Sequence, residues 1–287
     1  MIVVTGATGQ LGRLAVDALL ETVPADQVVA AVRSPQKAAD LAARGVQVRE
    51  ADYERPQTLA AAFAGADKVL LISGSEIGRR VAQHTAAIDA AKAAGVGLLA
   101  YTSLLRADSA TMLLAAEHQA TERLIRDSGV PFTLLRHGWY TENYTAALAP
   151  ALEHGAILGS CGEGRVASAT REDYARADVA VLLADGQQNT VHELSGDTAW
   201  TVAQLAAEVS AQSGTQVVYT DVPQEQYTKV LVGAGLPEPV AGILADSSAA
   251  TGRGELAYVT GELSRLIGRP TTPLADTVAA ALKALRG

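Results

Sequence analysis

The sequence predicts an α/β protein built on a doubly wound parallel sheet, followed by a smaller α/β domain. Three observations carry this reading. Six strand-like segments, the clearest of them apolar, alternate with helical segments up to about residue 136. The first run enters a glycine turn that opens directly into a helix. Beyond residue 150 the alternation loosens and turn residues become frequent.

Ile2, Val3 and Val4 form the first strand, and Gly6, Gly9 and Gly12 follow at three-residue spacing. Leu11, Leu14, Ala15, Ala18 and Leu19 then fall on one helical face, with the helix ending near residue 22. A strand running through glycines into a helix is the context of a dinucleotide-binding turn. Gly6 permits the tight turn, Gly9 leaves room for a pyrophosphate, and Gly12 lets the helix pack closely on the strand. The turn residues Ala7 and Thr8, with Gln10 and Leu11, complete this candidate phosphate site at a helix N-terminus.

Residues 28–32 (VVAAV) form a second strand, ending at Arg33, Ser34 and Pro35. In a dinucleotide fold this junction meets the adenosine ribose, where an acidic residue suits NAD and an arginine suits the 2′-phosphate of NADP. Arg33, with Lys37 about a turn away, therefore predicts NADP(H). Residues 46–50 form a third strand leading to Asp52 and Tyr53, which are candidates to contact adenine or to cap the next helix. Pro56 starts that helix, with Leu59 and Phe63 facing inward. Residues 68–73 form a fourth strand ending in Ser73, Gly74 and Ser75, a turn on the same C-terminal sheet edge and a candidate lining for the nicotinamide half of a cofactor. A helix is expected over 77–94, with His84 as an ordinary helix residue and Gly95 as its stop.

A fifth strand spans 98–102, a helix 115–127, and a sixth strand 132–136. The sixth opens into His137, Gly138, Trp139, Tyr140, Thr141, Glu142, Asn143 and Tyr144, much of the aromatic surface of an aromatic-poor chain. These aromatics are either walls for a flat ligand or a local packing cluster. The division expected is a nucleotide-binding domain over 1–150 and a smaller substrate-side domain over 151–287, interleaved with it or not. In the second domain, helices are expected over 172–184 and 202–212 and strands over 191–194 and 217–219. The stretch 233–254, rich in Gly, Pro and Ser, is a candidate mobile lid or homodimer contact.

A net charge of −8 speaks against nucleic-acid and anionic-membrane partners, which call for a basic face. Cys161 is the single cysteine, so no intrachain disulfide forms and a cytoplasmic setting is expected. No secretory leader and no transmembrane-length apolar stretch is read. The five histidines lack metal-ligand spacing. Neither a G-x-S-x-G nucleophile turn nor a P-loop Lys-Ser/Thr ending is present.

The segments GATGQLG, VRSP, ADY, YTSLL, EHQATE and RHGWYTENY resemble the NmrA-like branch of the short-chain dehydrogenase/reductase superfamily. Within it the chain is most similar to the bacterial type 2 NAD(P)H:quinone oxidoreductases, nearly end to end, through HELSGDTAWT, LAAEVSAQSG and LIGRPTTPLA. The resemblance implies an NAD(P)-binding Rossmann fold. It also implies an NADPH site lined by Gly6, Gly9, Gln10, Leu11, Arg33, Ser73 and the residues from His137 to Asn143, among them Gly138, Trp139 and Tyr140.

Classical members of that superfamily use a Tyr-x-x-x-Lys pair and a serine. With Ser103 at the serine position, Leu114 stands where the tyrosine would be and His118 where the lysine would be. Ketone reduction generates a basic alkoxide that benefits from a positioned acid. Hydride addition to a quinone gives a delocalised, phenolate-like anion that water can protonate. The missing tyrosine therefore points to a quinone held against the nicotinamide, without flavin or metal. Tyr53, His118, His137, Tyr140, Asn143 and Tyr144 are the candidate acceptor contacts. Two alternatives stand beside this reading: reduction of another electrophile such as an enone, and an NADP(H)-binding redox sensor that turns nothing over.

Overall fold

The computed structural model describes residues 1–286. Six strands follow in order: β1 (Ile2–Thr5), β2 (Val28–Val32), β3 (Gln47–Glu50), β4 (Lys68–Leu71), β5 (Leu98–Leu104) and β6 (Phe132–His137). With the strand Thr190–Leu194 they form one seven-stranded sheet, ordered β3-β2-β1-β4-β5-β6-(190–194). The pairings from β3 through β6 are parallel. Asn189 N–H donates to Phe132 O and Gly138 N–H to Leu194 O, so the last strand runs parallel too.

Parallel strands need crossover helices, and these cover both faces. After β2 comes the short α2 (Ala39–Ala43), and on one face α3 (Pro56–Phe63) and α4 (Arg80–Ala93) pack together over Val3, Val29, Val69, Leu71 and Leu99. On the other, α1 (Gln10–Leu19) packs against the helix Arg171–Leu183. Burial on both faces explains why β1, β2 and β5 are wholly buried and read as continuous apolar runs. The strand order reverses between β1 and β4, so their C-terminal ends open a crevice, the usual ligand position of such sheets.

The chain divides into two compact units, both discontinuous. The first holds residues 1–108, 117–137 and 171–193; the second holds 109–116, 138–170 and the chain from 194 onward. The chain thus leaves the first unit at His137, ahead of residue 150, and returns to supply a helix and the seventh strand. The second unit is mainly helical, with two small sheets: Arg165–Val166 with Trp200–Thr201, and Ala156–Gly159 with Val218–Asp221. Its helix Val202–Ser213 starts at a capping box formed by Thr201 and Gln204.

One sequence expectation needs correction. The helix expected from residue 77 starts at Arg80, because Gly78 takes a φ of +80° and the residues before α4 form a turn. The stretch 233–254 is chiefly helical: Gly233 ends the helix Gln224–Gly233, and Glu238–Gly252 is a further helix. Its inward face consists of Ala241, Ala245, Ser247, Ala250 and Thr251, small residues whose burial gives little hydrophobic periodicity. Among the described residues no helix is long and apolar enough to cross a membrane.

Candidate active site

The glycine turn at the end of β1 is the most constrained part of the first unit. Gly6 has a φ of +58°, a left-handed conformation costly for a residue with a Cβ. Gly9 N–H donates to Gly6 O at 2.8 Å and Gly9 caps α1. A Cβ on Gly9 would lie 3.1 Å from Gly6 O, and one on Gly12 only 2.3 Å from it. Ala7 and Leu11 are buried beneath the turn, Thr8 is half-buried, and Gly6, Gly9 and Gln10 are exposed. The result is a backbone cradle at a helix N-terminus, which fits a pyrophosphate.

The turn after β4 is held from below by buried polar side chains of α4. Gly74 N–H donates to His84 Nε2 at 3.2 Å, and Arg80 Nε donates to Gly74 O. Thr121 Oγ1 donates to Glu117 O, so His84 Nδ1 supplies the hydrogen of its 2.9 Å bond to Thr121 Oγ1. That leaves Nε2 as the acceptor for Gly74. His84 is therefore no ordinary helix residue: it is fully buried and it shapes the Ser73–Gly74–Ser75 turn. A Cβ on Gly74 would lie 3.1 Å from Gln83 Oε1, so the clamp also leaves little room for a side chain there. Sequence periodicity missed this, because α4 buries Arg80, Gln83 and His84 where apolar residues are expected.

Arg33 extends from the end of β2, 71% exposed, and pairs with Glu76 at 3.1 Å. Asp52 proves to be a turn residue: its Oδ1 accepts Glu54 N–H and its carboxylate pairs with Arg55. The Tyr53 hydroxyl lies 2.8 Å from Thr5 Oγ1 and 3.2 Å from Ile72 O, bridging the ends of β1 and β4. Burial pushes this phenol up to about 12.

Three other candidates in this unit are buried and already bonded. Ser103 donates to Glu122 Oε1 at 2.6 Å. His118 Nδ1 is 2.8 Å from the Tyr101 hydroxyl. His137 turns inward, its ring stacked on Tyr174 at 4.5 Å between centroids and its Nε2 2.8 Å from Asp178 Oδ1. Burial raises the Asp178 carboxyl, against the pull of His137.

In the second unit, Gly138 is buried, Trp139 and Tyr140 are half-buried, and Asn143 is exposed. Tyr140 forms a bridge with Ala169. Tyr144 sits edge-on to Trp200 at 4.9 Å, and burial raises its phenol.

Residues 6–189 match the NAD(P)H-binding family. The chain belongs to it. This family member is 51% identical to quinone oxidoreductase 2 of Escherichia coli (strain K12), with 97% of each chain covered. It superposes with a TM-score of 0.96 on an NADPH-dependent quinone oxidoreductase from Escherichia coli solved in complex with NADPH. That match has 50% identity and covers 98% of this chain and 100% of the other. A Citrobacter sp. triphenylmethane reductase complexed with NADP(H) gives 0.93 at 41% identity, covering 98% and 100%.

The buried imidazoles predict a pH-dependent stability. Burial, reinforced by the Arg80 charge, lowers His84 to about 4 and His118 to about 3, below the ordinary 6.5. Below pH 6.5 the unfolded chain therefore takes up protons that the folded chain does not. Stability held above 6.5 falls progressively toward the folded values. Each histidine is expected to cost about 2 kcal/mol between pH 7 and pH 5. Urea unfolding at pH 7 and pH 5 checks this: His84→Gln and His118→Gln, though less stable at pH 7, should each lose less on acidification than the wild type.

Proposed function

We propose that the protein is an NADPH-dependent quinone reductase that reduces a quinone to the hydroquinone. When bound, NADPH supplies a hydride at the nicotinamide, with neither flavin nor metal required. The backbone from Gly6 to Leu11 would hold the pyrophosphate, Arg33 the 2′-phosphate, and Ser73, Gly74 and Ser75 the nicotinamide side. The segment from His137 to Asn143, with Trp139 and Tyr140, is assigned to the nicotinamide end, and Tyr140, Asn143 and Tyr144 to the acceptor. Tyr53, His118 and His137 take supporting roles, since a polar atom of each is bonded within the first unit.

One observation carries the choice of a quinone. Ser103 and His118, the residues nearest to an acid by the superfamily pattern, are buried and bonded to Glu122 and Tyr101. An acceptor whose reduced anion is stabilised by delocalisation suits such a site; a simple ketone does not. The chain's part is then to bind, orient and bring the reactants together. The buried Cys161, with its thiol raised by burial, suits a reducing cytoplasm.

The test follows the absorbance of the reduced nicotinamide with purified protein and a simple benzoquinone, without added flavin and corrected for the direct reaction. Protein-dependent turnover at catalytic enzyme concentration is expected. Tight NADPH binding with no turnover would replace this reading with that of an NADP(H)-binding sensor.

A further inference from the structure

The ion pair between Arg33 and Glu76 joins two strands that are not neighbours. β1 lies between β2 and β4 in the sheet. Arg33 follows β2 and Glu76 follows β4, yet Arg33 Nη1 is 3.1 Å from Glu76 Oε1. The pair therefore passes across the C-terminal end of β1, where the Gly6–Gly9 turn forms its cradle. Its two halves are anchored differently. Glu76 is held through its other oxygen, which accepts from Gln83 Nε2 at 3.0 Å, and Gln83 is itself buried on α4. Arg33 is 71% exposed and has a long flexible stem, so it is the half that can move. The neighbouring Arg79 is paired with Glu54.

We infer that Glu76 is a specificity-determining residue: a fixed counter-ion that competes with the cofactor's 2′-phosphate for the Arg33 guanidinium and so limits the preference for NADPH over NADH. The inference rests on the reading that Arg33 takes the 2′-phosphate. The guanidinium lies against the Glu76 carboxylate. Binding NADPH exchanges that carboxylate for a phosphate and leaves the Glu76 charge near the new anion. NADH brings no 2′-phosphate, so it does not compete with Glu76 for the guanidinium. Glu76→Gln removes the competing charge while keeping an oxygen that can accept from Gln83.

The experiment is calorimetric binding of NADPH and of NADH to the wild type, Glu76→Gln, Arg33→Ala and the double variant, with thermal unfolding as a control for folding. Glu76→Gln is expected to tighten NADPH binding roughly two- to fivefold, the range an exposed ion pair allows, with NADH unchanged. Arg33→Ala should weaken NADPH much more than NADH, because only NADPH loses a charge-assisted phosphate contact. In the Arg33→Ala background, Glu76→Gln should no longer change the ratio of the two affinities. If Arg33→Ala is selective but Glu76→Gln leaves NADPH binding unchanged, the competition is overturned and the Arg33 reading survives. If Glu76→Gln favours NADPH equally in both backgrounds, the effect is a general field and the competition is again overturned. If Arg33→Ala weakens both cofactors alike, the Arg33 reading falls and the competition with it.

Discussion

Gly12→Ala is expected to lower the melting temperature by several degrees and to weaken NADPH binding at least tenfold. Helix propensity alone predicts the opposite sign, since alanine in a helix interior is favoured over glycine by about 1 kcal/mol. Packing decides against it. The added Cβ would stand 2.3 Å from Gly6 O, 2.8 Å from Gly6 C and 2.9 Å from Ala7 Cα. All three are backbone atoms of the turn, so no rotamer change relieves the contact. Gly6 O also accepts the Gly9 N–H, so moving it opens the turn. Overpacking of this kind typically costs roughly 1–3 kcal/mol, and a backbone clash belongs at the upper end. Gly9→Ala makes the informative contrast, because its Cβ would meet the same oxygen at 3.1 Å, which a small shift relieves. It should keep most of the stability while crowding the pyrophosphate. Thermal unfolding and calorimetric titration of both variants check the pair of outcomes. Wild-type stability and affinity in Gly12→Ala would contradict the close packing of α1 on the turn.

Arg136→Met should destabilise the fold by about 3–5 kcal/mol at neutral pH, the usual cost of stranding a buried charge. Arg136 is 3% exposed and stands among three carboxylates. Its Nε and Nη2 donate to Glu122 at 2.8 and 2.6 Å. Nη1 and Nη2 donate to Asp108 at 2.7 Å each, and Nη1 reaches Glu193 at 2.8 Å. These partners raise its pKa against the cost of burial. Arg136 in turn holds the Asp108 carboxyl below the usual carboxylate range through its hydrogen bonds. Methionine keeps much of the volume and removes the charge, leaving Glu122 buried with only the more distant Arg126, at 3.9 Å, as a cation. The variant is then relieved by protonating a carboxylate, so its deficit relative to wild type should shrink as the pH falls from 7 to 5. Urea unfolding at both pH values measures the gap; a deficit that stays constant or widens in acid would contradict this account.

The network around Arg136 also marks a limit of reading the chain element by element. The strand 132–136 was legible as a short, mainly apolar run, but Arg136 at its end gave no sign of partners on the loop after β5, the helix Ala115–Ser128 and the seventh strand. Ser103 looked like a catalytic serine by its position in YTSLL, whereas its hydroxyl is bonded to Glu122. His84 looked ordinary because helical periodicity registers apolar side chains, and its burial is polar. His137 belonged to an aromatic stretch that suggested a ligand wall, yet its ring faces Tyr174 and Asp178.

What the amino-acid sequence determined by itself was local. The apolar runs defined strands buried on both faces, glycine spacing defined the turn into α1, and Arg33 put a positive charge at the end of β2. These features depend on residues close together in the chain. Tertiary structure alone decided which distant residues meet. It set Glu76 against Arg33 across the end of β1, His84 beneath Gly74, and three carboxylates around Arg136. Those pairings follow from the order of strands in the sheet and from side chains reaching between elements. Periodicity along a single element records how much of it is buried, and carries no information about which charge on another element will lie within hydrogen-bond distance.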